Sequence, residues 1–166
     1  DEDAHNIMSV YGDRIKFMVL SNQQHSEPLF NAPLLTQDTI NYTLPSGTVP
    51  GIWNNMNEST YKLISLIGMY YANDILRDSK TNGPVGLLCN SVGGTEIDTW
   101  MKNGSAENYN GHIAPFEDYG VRGVLWYQGE TDADRGDDYD VKAYKNRFAQ
   151  LINDYREVFD DEELPF

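Results

Sequence analysis

Two short apolar runs limit what this chain can fold into. Val85-Gly86-Leu87-Leu88-Cys89 leads directly into the polar turn Asn90-Ser91-Val92-Gly93-Gly94-Thr95. Val121-Arg122-Gly123-Val124-Leu125-Trp126-Tyr127 leads into a second one, Gln128-Gly129-Glu130-Thr131-Asp132. Runs of this length, rich in aliphatic and aromatic residues, read as strands buried on both faces. Ile15-Lys16-Phe17-Met18-Val19-Leu20 reads as a third. Around them the apolar period changes to that of a helix. Leu63, Ile64, Ile67, Tyr71 and Ile75 predict one face of a helix over Tyr61–Asp78, with Ser59 or Thr60 to cap its start. Val141, Tyr144, Phe148, Leu151, Tyr155 and Val158 form a regular seam on a final helix. Glu96 to Lys102 reads as a short helix, and residues 21–60, which hold most of the prolines, as a long irregular loop. Strand and helix in alternation predict an α/β layer sandwich with a mainly parallel sheet, in one domain over residues 1–166. In such sheets ligands sit beyond the carboxyl ends of the strands. Both glycine-bearing turns occupy such ends and are expected to converge.

Charge and composition remove several function classes. The net charge of −14 over 166 residues speaks against binding nucleic acid or an anionic membrane through a broad basic surface. No window approaches the ~18 apolar residues of a membrane span. A single cysteine, Cys89, excludes an internal disulfide framework and gives no structural zinc cluster. Both ends read as cut, with Asp1-Glu2-Asp3 opening abruptly and Leu164-Pro165-Phe166 resembling the start of a strand.

Several residues have chemistry to offer. Glycines at Gly93 and Gly94 let the backbone turn sharply and expose N–H donors, so the segment with Thr95 serves either as an oxyanion site or as a plain strand-to-helix turn. No phosphate-loop pattern is present. A Gln128 side chain can donate to a developing oxyanion. Glu130 can bind a sugar hydroxyl, act as a base or orient Gln128; the bland alternative is that both satisfy turn amides while Trp126 and Tyr127 fill core. Asp132, Asp134, Asp137, Asp138 and Asp140 miss the spacing of a calcium loop and read as a solvated acidic loop with a helix cap. His5, His25 and His112 lack partners at metal-ligand spacing, and His112 reads as a surface or packing residue. Ser91 has no G-x-S-x-G elbow around it. Asn41, Asn57 and Asn103 head glycosylation triplets of the kind that arise by chance in an Asn-rich chain.

Read together, the blocks are more specific. The run from Gly83 to Trp100 resembles the PVGLI-x-x-x-x-GGT-x-I-x-x-W block of the sialate O-acetylesterase family. Tyr109-Asn110-Gly111-His112-Ile113-Ala114-Pro115, then Val121 to Thr131, resemble that family's YN-x-x-I-x-P and GV-x-WYQGE-[ST] blocks. Arg14-Ile15-Lys16-Phe17 is similar to its second strand, and Ile152 to Phe159 to its LI-x-D-x-R-x-x-F helix. The resemblance implies an SGNH hydrolase with a three-layer, flavodoxin-like α/β/α fold that removes acetyl groups from sugar hydroxyls by serine chemistry. It implies an oxyanion hole that includes Gly93 or Gly94 and the side-chain amide of Gln128. Glu130 would be a supporting acid, and Trp126, Tyr127 and Thr95 would shape the substrate site. It implies no cofactor, no metal, and an extracellular or periplasmic location.

The departures are equally specific. The family's nucleophile lies in a GQSN block and its Asp and His in a D-x-x-H block; neither string occurs here. The chain is therefore expected to be an internal part of the esterase domain, inactive alone. With the central first strand missing, residues 15–20 and 85–89 would pair directly, borrow a strand from another chain, or swap, so a homo-oligomer is an expectation. The competing class is a non-catalytic carbohydrate-binding α/β module that stacks sugars on its aromatic residues.

Overall fold

The computed structural model describes residues 2–20, 24–30, 53–134 and 141–166. The chain divides into two compact units. The first comprises Asp1–Asn22 and Leu34–Asn90, and the second Gln23–Pro33 and Ser91–Phe166. The elements are of mixed α/β type.

The first unit is built on a three-stranded sheet of order β2-β1-β3. Strand β1 (Ile15–Val19) runs parallel to β3 (Val85–Cys89), with Ile15 opposite Val85 and Val19 opposite Cys89. Of the three arrangements the sequence leaves open for these strands, direct pairing is the one observed. The two-residue strand β2 (Asn54–Asn55) pairs antiparallel with β1, so part of the expected long loop belongs to the sheet. Of that loop, residues 21–23 and 31–52 lie outside the described residues. Ile15 and Phe17 are fully buried, and Met18, on the opposite face of the same strand, is nearly so.

Helix α1 (Glu2–Tyr11) has no counterpart in the sequence-based expectation. Its signal is modest: Glu2 and Asp3 favour a helix start electrostatically, and only Ala4 and Ile7 are buried. Helix α2 (Leu66–Arg77) begins later than expected, after a 3-10 turn at Tyr61–Leu63. Ser65, rather than Ser59 or Thr60, is its cap, and its side chain accepts from the Gly68 N–H. The buried face also differs. Gly68, Met69, Ala72 and Leu76 face inward, while Ile67 and Tyr71 are 47% and 45% exposed. Two stripes on this helix satisfy the three-or-four spacing, and the one with small residues wins. Gly68 lies so near Leu87 of β3 that a Cβ would meet its Cδ1 at 3.5 Å, so the helix lies close against the strand.

The second unit packs around Ile97, Trp100, Tyr109, Leu151, Tyr155 and Leu164. Its main element is α5 (Val141–Val158), where Leu151, Tyr155 and Val158 are buried and Tyr144 and Phe148 pack against the same core, as the seam predicts. Shorter pieces complete it: a 3-10 turn at Ile97–Trp100, α3 (Glu107–His112), a 3-10 turn at Ala114–Phe116, and α4 (Glu130–Ala133). The expected strand at 121–127 forms no ladder. The segment is extended, with Val124 and Trp126 packed against the core and Leu125 and Tyr127 exposed. Among the described residues, its one backbone bond to another extended segment runs from the Val124 N–H to the Pro165 carbonyl, at 2.9 Å. Proline has no N–H to return, so no reciprocal pair forms.

The two stripes of α2 give a direct test. Leu76→Ala should cost about 2–5 kcal/mol in urea unfolding, and Ile67→Ala no more than about 0.5 kcal/mol. Burial pushes the Cys89 thiol pKa up, an effect partly offset by a hydrogen bond involving the Ser65 backbone. At pH 8 Cys89 should therefore react with Ellman's reagent more slowly than a free thiol, and urea should abolish the difference.

Candidate active site

The first turn is closed by its own threonine. The Thr95 hydroxyl donates to the Val92 carbonyl at 2.8 Å and accepts from the Trp100 Nε1–H at 3.0 Å. That bridge spans Gly93 and Gly94. Both glycines are exposed, and Gly94 adopts φ +73°, a left-handed conformation that favours glycine. A Cβ on either would meet nothing within 4 Å. Neither glycine N–H donates to another atom among the described residues. The turn thus carries two exposed glycines, whose N–H groups have no acceptor among the described residues, on a frame closed by Thr95.

The second turn meets the first through Gln128. Its Nε2 donates to the Thr95 carbonyl at 3.0 Å and to Asp132 Oδ2 at 2.6 Å. Its Oε1 accepts from the Tyr144 hydroxyl at 3.0 Å. The opposite amide orientation would set an oxygen against two acceptors, so these bonds fix which end is nitrogen. Both protons of Nε2 are thereby used. The Gln128 side chain, expected as a donor to a substrate oxygen, thus places both protons on acceptors of its own chain in this geometry.

Asp132 is the residue that sequence reasoning misplaced. Instead of lying in a solvated acidic loop, it is 2% exposed. Its Oδ2 also accepts the Ile97 N–H at 2.9 Å, and its Oδ1 lies 3.8 Å from Arg147 Nη1. Helical spacing could not have signalled this, because Gln128 precedes α4 (Glu130–Ala133) and Gly129 between them has φ 140°. Asp134 ends α4, and Asp137, Asp138 and Asp140 lie outside the described residues.

The remaining candidates separate into inward and outward groups. Trp126 packs inward, with its ring 6.3 Å from Trp100 and 6.1 Å from Phe148, so it fills core. The Thr95 hydroxyl is engaged within its turn, as above. Tyr127, 77% exposed, presents its ring outward, and Glu130 is exposed at the start of α4. His112 is buried, its ring 5.5 Å from Trp100, and serves packing. Ser91 is exposed and hydrogen-bonded to no histidine among the described residues. Asn57 and Asn103 are exposed, and Asn41 lies outside the described residues.

Comparison with known proteins agrees with this arrangement of blocks. Residues 53–166 match the profile of a family described as carbohydrate esterase, sialic acid-specific acetylesterase. Human sialate O-acetylesterase is 31% identical over 99 residues, which is 46% of this chain and 18% of that protein. A probable carbohydrate esterase of Arabidopsis thaliana is 31% identical over 104 residues, 59% of this chain and 38% of that protein. In fold, the whole chain is similar to 36% of a carbohydrate acetylesterase from Xanthomonas citri, with a TM-score of 0.76 at 24% identity. The chain thus spans well under half the length of these relatives.

Asp132→Ala would orphan the Ile97 and Gln128 donors together. Each buried donor left unpaired costs about 1–3 kcal/mol, so the thermal midpoint should fall by several degrees. Asp134→Ala, at the exposed end of the same helix, should leave it nearly unchanged.

Proposed function

The chain belongs to the carbohydrate esterase, sialic acid-specific acetylesterase family, and from that premise we propose that its residues form the charge-stabilising part of a serine-dependent carbohydrate O-acetylesterase site. The observation that carries this is the pair of exposed glycines Gly93 and Gly94, whose N–H groups have no acceptor among the described residues, on a turn held shut by Thr95. A serine attacking an acetyl carbonyl pushes negative charge onto the carbonyl oxygen, and histidine takes the serine proton. Preorganised N–H groups at that oxygen stabilise the tetrahedral intermediate, and losing one such donor costs about a hundredfold or more in rate. Gly93 and Gly94 supply those donors. Tyr127 and Glu130, both exposed and flanking the Gln128 that bonds to the first turn, contact the sugar. The nucleophile comes from a GQSN block and the base from a D-x-x-H block, which the 166 residues do not contain.

The experiment is acetate release from O-acetylated sialosides, acetylated xylan and p-nitrophenyl acetate. A protein carrying these residues together with both blocks should turn over, and Gly94→Ala should lower its kcat by tenfold or more. The 166-residue chain alone should give no rate above buffer. A rate from that chain that disappears on Ser91→Ala would overturn the assignment of roles. Glycan binding without acetate release by the longer protein would favour the binding-module reading.

A further inference from the structure

The Gln128 amide is more fully engaged than a turn requires. Its two Nε2 protons and its Oε1 go to three different places: the Thr95 carbonyl of the first turn, the Asp132 carboxylate of α4, and the Tyr144 hydroxyl of α5. The Tyr144 hydroxyl also lies 3.0 Å from the Gln128 backbone carbonyl. Asp132 Oδ2 takes a second bond from the Ile97 N–H, at the start of the 3-10 turn that follows Thr95. So the residues just after the glycines are held twice, at Thr95 by Gln128 and at Ile97 by Asp132. The glycine N–H groups themselves have no acceptor among the described residues. A flexible backbone is anchored on its downstream side by one buried carboxylate and one amide.

We propose that Asp132 and Tyr144 are positioning residues for the ester-hydrolysing site, acting through Gln128 to fix the Gly93-Gly94 amides where charge develops. The proposal rests on the esterase reading above, because it specifies what the anchored amides are for. It assigns Gln128 a different part from the one the sequence suggests. In this part the side chain ties the turn that carries the glycines to α4 and α5. An ionised acceptor suits this task, since a carboxylate can take two N–H bonds on one oxygen and such bonds are shorter and stronger than neutral ones. Tyr144 completes the amide from the other side and is held in place by stacking on Phe148, with ring centroids 6.4 Å apart.

Two readouts separate the anchoring from the chemistry. In 15N-labelled protein, both Gln128 side-chain protons should exchange with D2O at least tenfold more slowly than those of an exposed glutamine. Asp132→Ala, which removes the acceptor of one of the two protons, should abolish the protection of that proton. In the protein that hydrolyses acetyl esters, Tyr144→Phe and Asp132→Asn should lower kcat about tenfold and leave KM within twofold. Fast exchange at Gln128 in the unsubstituted protein overturns the anchoring, whatever the protein hydrolyses. Protected Gln128 protons with unchanged kcat in Tyr144→Phe overturn the positioning role and leave the esterase reading standing. Absence of turnover in the unsubstituted protein overturns the esterase reading and the positioning role with it, while the exchange data still report on the anchoring.

Discussion

A buried carboxylate must be compensated, and Asp132 is compensated by the groups that organise the second unit. It takes the Ile97 N–H and a Gln128 N–H on one oxygen, with the Arg147 guanidinium near the other. Each bond ties down a different stretch of chain. Because a desolvated charge is costly to leave unpaired, the three stretches hold together as a group. The GGT turn is tied to that group at Thr95, and the residues after it at Ile97. The chemistry we propose depends on both.

The chain discloses its regular elements where one apolar stripe has no rival. The seam of α5 is unambiguous because Leu151, Tyr155 and Val158 recur at helical spacing among polar neighbours, and all three are buried. Strands β1 and β3 are legible as short apolar runs, and the α/β class follows. Helix α2 is different: Ile67 and Tyr71 are the bulkier residues, but Gly68 and Ala72 allow close approach to β3, and closeness decided which face was buried. No hydrophobicity count carries that information. The segment 121–127 shows the reverse failure. Its composition is that of a strand, but a strand exists only through its neighbours, and Pro165 returns no bond.

The site was legible to the same degree and for similar reasons. The glycines and Gln128 stand out because family blocks and glycine chemistry both mark them, and the two turns do meet, at the bond from Gln128 to Thr95. The role of Gln128 was not legible, because whether an amide donates outward or inward depends on which acceptors surround it. Asp132 looked like one acid among five, and only burial distinguishes it. The side-chain pairing of Trp126 and Tyr127 was likewise half visible. Alternation along an extended segment puts one ring in and one out, and the core contacts of Trp126 settle which.

The central claim is that the Gly93-Gly94 amides cradle the oxyanion of acetyl transfer. A crystal structure of the hydrolytically active protein carrying these residues, with a phosphonate mimic of the tetrahedral intermediate bound to its serine, tests it most directly. The account predicts a phosphonyl oxygen within about 2.7–3.1 Å of the Gly93 or Gly94 nitrogen, with Gln128 still bonded to Thr95 and Asp132. A phosphonyl oxygen held by other donors, with both glycine amides facing solvent, would contradict it.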